Sequence, residues 1–171
     1  LAARELRVGL VDFDPQGNAS TASGIESSGE DLAHAVIEGA PLPWESTAWG
    51  YDLAPGGPEL GGVKRALEAS HHPTPTTALR ESLSGAEYDV VVVDTAPGFE
   101  FHLLAALMAA THALCPVQPA RFALDGLEEF LATLQGIARG NRGLELAGVL
   151  LTSVDGRTGG TNEDARDAID A

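Results

Sequence analysis

Four valines in succession, Val90 to Val93, followed at once by Asp94, restrict what this chain can fold into more than any other stretch. An unbroken β-branched run reads as a strand covered on both faces, the pattern of a parallel sheet held between helices. A second apolar run, Val8 to Val11, gives way abruptly to Asp12-Phe13-Asp14-Pro15-Gln16-Gly17-Asn18. Both strands therefore deliver carboxylates to their C-terminal ends, where open α/β sheets place their ligands. Asp12 and Asp14, one residue apart on an extended chain, point the same way. They either converge on one target, such as a metal, its water shell or an attacking water, or simply begin a turn. Asp94 has two readings of its own, ligand or strand-end cap. Pro15 and Gly17 force the chain out of the strand, and Asn18 suits the N-cap of a following helix.

The remaining segments alternate between helical and strand-like patterns. Ala19 to Ser23 suits a short helix ended by Gly24, and Asp31 is placed to cap a second, with Leu32, Ala35 and Val36 on one face before Gly39. Pro41 to Trp49 reads as a loop, and Tyr51 to Ala54 as a weak strand stopped by Pro55-Gly56-Gly57-Pro58. Helices are expected over Val63 to Ser70, from Thr76 or Thr77 through Leu83, and over Phe101 to Ala110. Ala113 to Val117 reads as a buried strand, and Leu127, Phe130, Leu131, Leu134, Ile137 and Ala138 recur at helical spacing. A last strand, Leu146 to Leu151, precedes a helix starting at Asn162. This alternation gives a three-layer α/β fold with a mostly parallel sheet.

Gly61-Gly62-Val63-Lys64 imitates a phosphate-binding loop without being one. Such a loop needs Gly, four residues, then Gly-Lys-Ser/Thr, so that backbone amides wrap the phosphates while the lysine and hydroxyl reach the β/γ-phosphates and magnesium. Gly57 and Gly62 have the right separation, but Val63 stands at the lysine position and Arg65 follows Lys64. The stretch is read as a loop entering a helix, with Lys64 in solvent.

At 171 residues the chain suits one soluble domain, and no run approaches the ~18 consecutive apolar residues of a membrane span. Its one cysteine, Cys115, lies in an apolar run and reads as a buried thiol; it excludes an intramolecular disulfide and a multi-cysteine metal site. His71 and His72 lack a cysteine or paired carboxylate nearby and are not read as metal ligands. With a formal net charge of −15 and only nine arginines and one lysine, the chain repels phosphate backbones unless its cations cluster.

Asp12-Phe13-Asp14-Pro15-Gln16-Gly17-Asn18-Ala19 resembles the aspartate signature that follows the second strand of the ParA family, deviant Walker A ATPases that partition plasmids and chromosomes. Tyr88 to Asp94 is similar to the family's Walker B strand. Thr95-Ala96-Pro97-Gly98 is similar to its γ-phosphate-sensing switch loop, with Ala96 where members more often carry a proline. Pro116-Val117-Gln118-Pro119, then Phe122-Ala123-Leu124-Asp125-Gly126-Leu127, matches the segment that packs against the nucleotide core and the dimer partner, and Thr152 to Thr158 also follows the family pattern.

The resemblance, which covers nearly all of the chain, implies a P-loop-NTPase-like fold and use of ATP with magnesium (Mg2+). It implies that Asp14 positions or activates the attacking water, that Asp12 supports the magnesium shell and that Asp94 is the Walker B acid. Gln16 and Thr95 are implied as phosphate-side contacts. The implied partners are a second copy in an ATP-dependent homodimer, non-specific DNA and a ParB-like activator, in a bacterial, nucleoid-associated, cytoplasmic setting without a membrane. The family's Lys-Gly-Gly-x-Gly-Lys-Thr loop and its basic C-terminal segment do not occur among the 171 residues. The reading frame is therefore expected to extend upstream through a strand, that loop and a helix whose tail is Leu1 to Arg7, and the chain alone is expected to lack ATPase activity. Two other classes remain open: a non-catalytic ParA-like binding module, and a MinD-like membrane-cycling ATPase; an iron-sulfur carrier is disfavoured by the single cysteine.

The charge yields a direct test. At about 150 mM salt, where the Debye length is about 8 Å, the isolated chain should not retard duplex DNA in a gel-shift titration; tight retardation would show that its few cations do cluster.

Overall fold

The computed structural model describes residues 5–96, 98, 100–118 and 123–153, with side chains described throughout except at 123–129. The helix tail expected at Leu1 to Arg4, Pro97, Pro119 to Phe122, Val154 to Thr158 and the helix expected from Asn162 lie outside these residues. The chain falls into two compact units, residues 1–109 and 110–171.

The first unit is built on strands β1 (Val8–Phe13), β2 (Glu45–Ser46), β3 (Asp52–Ala54) and β4 (Val90–Thr95), in the order β2-β3-β1-β4. β3 and β4 both run parallel to β1, and the two-residue β2, within the expected loop, pairs antiparallel with β3. Side chains alternate along a strand, and here the alternation sorts chemistry. Val11 and Phe13 of β1 join Val91 and Val93 of β4 on the core face. Against them pack Leu32 and Val36 of α2 (Glu30–Glu38), Leu67 of α3 (Val63–Ala69), Leu79 of α4 (Ala78–Leu83) and Ala105 of α5 (Phe101–Ala109). Each fully buried leucine contributes about 1.5–3 kcal/mol. The opposite face carries Leu10, Asp12, Val92 and Asp94. The cover expected on both sides of β4 is seen on one only, since Val92 is 43% exposed. Four consecutive valines report β-propensity, and that propensity is the same whether or not the second face is covered.

The helix starts depart from expectation in a consistent way. Asn18 and Asp31 do not cap their helices: α1 (Asn18–Ala22) and α2 are preceded by Gly17 and Gly29, both left-handed, so the two polar residues lie inside the first turn. Glycine takes that conformation without the Cβ clash that other residues meet. Glu30 and Asp31 still favour the positive end of the α2 dipole. Pro75–Thr77 forms a 3₁₀ turn before α4, and the Thr77 hydroxyl reaches Thr74 O (2.9 Å) and Glu81 Oε1 (2.7 Å) instead of capping an amide. Lys64 is solvated as expected, 4.0 Å from Glu68.

In the second unit β5 (His112–Val117) and β6 (Glu145–Leu151) are parallel, with α6 (Ala123–Ile137) between them in sequence. β5 is half-covered rather than buried. Ala113, Cys115 and Val117 turn inward, the last two onto Phe130, Leu131 and Val149, while Leu114 is 57% exposed.

β3 ends in Pro55-Gly56-Gly57-Pro58, a stop signal in sequence and a close backbone contact in three dimensions. A Cβ on Gly56 would overlap the Asp12 carbonyl oxygen, and one on Gly57 would overlap the backbone of Ser28. Gly61 and Gly62 have open space around the Cβ position. In urea unfolding, Gly56→Ala should therefore lose about 1–3 kcal/mol through overpacking, whereas Gly61→Ala should stay within about 0.5 kcal/mol of wild type.

Candidate functional site

Parallel pairing sets Asp12 of β1 directly opposite Asp94 of β4, at the carboxyl ends of both strands and on the face away from the helical core. Asp14 follows two residues beyond Asp12. The three acids singled out in the sequence therefore gather at one end of the sheet, and they sense one another: Asp94 is influenced by the charges of both Asp12 and Asp14.

Asp12 has no exposed surface, so its carboxylate must be met by donors. Its Oδ2 accepts the Ser20 amide at 2.7 Å and the Ser20 hydroxyl at 2.6 Å, both from α1. Its Oδ1 accepts the Asp14 amide at 3.4 Å. Asp12 thus supplies the acceptor that Asn18 was expected to offer the α1 amides, from a strand eight residues away. The Ser20 hydroxyl also accepts the Gly56 amide at 2.9 Å, tying the loop after β3 into the site. Neither Ser20 nor Gly56 was singled out in the sequence. The available signals were a small hydroxyl residue in the turn after the signature and the Pro-Gly-Gly-Pro run, each of which has many innocent uses.

Asp14 is 6% exposed and does serve as a turn residue. Its Oδ1 accepts the Gln16 amide at 2.9 Å and its carbonyl accepts the Gly17 amide at 2.9 Å, closing a turn around Pro15. The turn occupies one carboxylate oxygen and leaves the other. The Gln16 side chain is exposed at the rim of the same turn. Thr95 is paired with Phe13 and so lies on the face opposite the acids, half-buried.

Among the described residues no three His, Cys, Asp or Glu side chains converge tightly enough to hold a metal alone. A magnesium ion does not need three, because it commonly takes one or two carboxylates and completes its shell with water and phosphate oxygens. The donor set fits that partial role. Asp94 is solvent-accessible beside two further acids, whereas Asp12 has one oxygen saturated by Ser20. The one lysine of the sequence, Lys64, lies against Glu68 on α3 and not beside these acids. A cavity of about 550 Å³ lies at the other end of the sheet around Leu6, Trp44, Asp52 and Tyr88. There the Tyr88 hydroxyl donates to Asp52 at 3.0 Å, and burial together with that carboxylate pushes the phenol up to about 12.

Partial burial, then the charges of Asp12 and Asp14, push the Asp94 carboxyl above the ordinary carboxylate range. A carboxylate raised in the folded state adds stability below its unfolded value and loses it as pH rises through the folded value. In metal-free protein, Asp94→Asn should therefore raise the melting temperature at pH 7 relative to wild type. The gain should shrink as pH falls below the carboxylate range, and for so accessible a group it should stay under about 1 kcal/mol. Melting curves of both proteins across pH check this.

The family model described as an AAA domain matches residues 1–146. The chain is 39% identical over 160 residues to the chromosome-partitioning ATPase Soj of Thermus thermophilus, covering 92% of this chain and 61% of that protein. It is 33% identical over 165 residues to the chromosome partitioning protein ParA of Myxococcus xanthus, covering 92% and 58%. It thus spans about three fifths of the length of these relatives. Among solved structures it is similar to cobyrinic acid a,c-diamide synthase from Mycobacterium smegmatis with bound ADP and magnesium, with a TM-score of 0.86 and 29% identity over 98% of this chain and 71% of that one. A plasmid partition protein from Borrelia burgdorferi shares the fold, with a TM-score of 0.81 and 18% identity over 99% and 74%. Matched by that family model over residues 1–146 and similar to these partitioning relatives, the chain belongs to the ParA family of partitioning ATPases.

Proposed function

We propose that the protein is a ParA-type ATPase for plasmid or chromosome partitioning, a nucleotide-dependent homodimer that loads onto DNA without sequence preference and hydrolyses ATP when a ParB-like partner stimulates it. The observation that carries this reading is the opposition of Asp12 and Asp94 at the carboxyl ends of β1 and β4, with Asp14 just beyond. The relatives' names supply the cargo class, and the M. smegmatis neighbour, with its bound ADP and magnesium, supports nucleotide and Mg2+ as ligands.

In this reading Asp94 would hold a magnesium shell, with support from Asp12 Oδ1, whose bond to the Asp14 amide is long at 3.4 Å. Mg2+ bound there would neutralise charge on the phosphate oxygens. Asp14, its Oδ1 fixed by the Gln16 amide, uses Oδ2 to orient the attacking water and accept its proton. The exposed Gln16 side chain is the phosphate-side contact on the side of the acids, and Thr95, on the other face of β4, would reach a phosphate only from the strand end. DNA contacts fall to basic residues outside this acidic stretch, because a net charge of −15 opposes a phosphate backbone. The setting is the bacterial cytoplasm at the nucleoid; among the described residues no helix is long and apolar enough to cross a membrane.

One observation favours a second reading, a non-catalytic ParA-like module: the Asp14 carboxylate and carbonyl already close a turn onto the Gln16 and Gly17 amides, a role that needs no nucleotide. Titration of the full-length gene product with nucleotide separates the two, since a module of that kind binds none.

In the full-length gene product Asp14→Ala should lower phosphate release by about 10²–10⁴-fold, the usual contribution of a positioned acid or base, while ATP-dependent dimerisation by light scattering persists. A group acting only in the transition state affects rate without ground-state binding. Asp94→Ala should weaken magnesium-dependent nucleotide binding as well. Unchanged turnover in Asp14→Ala would leave that residue as a turn former alone.

A further inference from the structure

The Ser20 hydroxyl stands where two loops of the carboxyl-end crevice meet. It donates its one proton to Asp12 Oδ2 at 2.6 Å and accepts the Gly56 amide at 2.9 Å, while its own backbone amide reaches the same Asp12 oxygen at 2.7 Å. Ser20 is 1% exposed and Asp12 fully buried, so no water competes for these bonds. A hydroxyl has one donor and two acceptor positions, and with Gly56 donating to it, its proton is committed to the carboxylate. Asp12 Oδ1 in turn accepts the Asp14 amide at 3.4 Å. A continuous line therefore runs from the loop after β3, through Ser20 and Asp12, to the backbone of Asp14.

The far end of that line is fixed. Gly57 lies against the backbone of Ser27 and Ser28 so closely that a Cβ would overlap it, and the Glu59 amide donates to Ser28 O at 3.0 Å. The loop after β3 is thereby held against Ser27 and Ser28, and the Ser20 side chain passes its position to Asp12. We propose that Ser20 is a positioning residue: its hydroxyl sets the rotamer of Asp12 and, through it, the height of Asp14 above the strand ends, so that Asp14 meets the attacking water in a productive orientation. The proposal rests on the reading of Asp14 as the acid that acts on water.

A merely structural hydroxyl would affect stability and leave the kinetic constants of the folded fraction alone. A positioning hydroxyl affects kcat. In the full-length gene product Ser20→Ala should lower kcat for ATP hydrolysis by about 10–100-fold, as expected for loss of an outer-shell partner or a shift of a reacting group by about 1 Å. KM for ATP should stay within about twofold, since phosphate binding is not what the hydroxyl sets. Ser20→Thr, which keeps the hydroxyl, should restore most of kcat. Ser20→Cys, whose thiol is a weak donor of similar shape, should fold and fall between the two. Independently of turnover, amide hydrogen exchange should speed up at Gly56 in Ser20→Ala while Val11 and Leu53 exchange as in wild type, marking a local release rather than general loosening. Wild-type kcat in Ser20→Ala or Ser20→Cys, or equal acceleration at Gly56, Val11 and Leu53, overturns the proposal. Asp14→Ala assayed alongside separates the two readings: an inactive Asp14→Ala with a fully active Ser20→Ala removes the positioning role alone, and an active Asp14→Ala removes both.

Discussion

A carboxylate without solvent exposure is a demand placed on everything around it, and Asp12 makes that demand at the end of β1. Left unpaired, a buried ionised group is among the most costly features a fold can contain. Here it is met by a serine amide, a serine hydroxyl and, at longer range, the amide of Asp14. Satisfying it dictates that α1 begin immediately after the Asp14–Gly17 turn with its third residue facing back to the strand. It also brings the loop after β3 close enough that position 56 tolerates nothing larger than glycine. The crevice is thus shaped by an electrostatic requirement at its floor, and the helical core on the other face of the sheet supplies the stability that makes the requirement affordable.

The same requirement explains what the sequence disclosed and what it hid. Val8–Phe13 and Val90–Thr95 were legible because apolar runs ending in acids have few other uses, and the parallel register then brings Asp12 and Asp94 together. Fold class followed from the alternation of patterns, and family from the order of motifs. Ser20 and Gly56 were not legible, because their bond joins residues 36 apart in the chain and neither residue type announces it. The cap roles expected of Asn18 and Asp31 failed for a related reason. Left-handed glycines one and two positions earlier start both helices, and at α1 the capping acceptor comes from a different strand. Thr95 could be placed next to Asp94 by sequence, but the strand period puts it on the other face.

Charge acts at two scales in this molecule. Locally, partial burial and then the charges of Asp12 and Asp14 raise the proton affinity of Asp94, a tension that a bound cation relieves. Globally, a surface of net −15 keeps polyanions at a distance. The first feature favours a cation and the second disfavours a nucleic acid, so charge at the strand ends and charge over the whole surface select opposite ligands. Arg7 illustrates how little positive charge is left to use: it lies 3.8 Å from both Glu87 and Asp89.

The two-residue β2 gives the sheet a direction of growth. Glu45 and Ser46 are exposed, pair with β3 for only two positions, and Ser46 bonds to the Asp52 carboxylate at 2.7 Å. So short and acid-bearing an edge is a poor template for another strand. On the opposite side β4 is six residues long and, among the described residues of this sheet, has a neighbour on one side only. Of the two described edges, the one bearing Asp94 is therefore the better suited by length to accept a further strand.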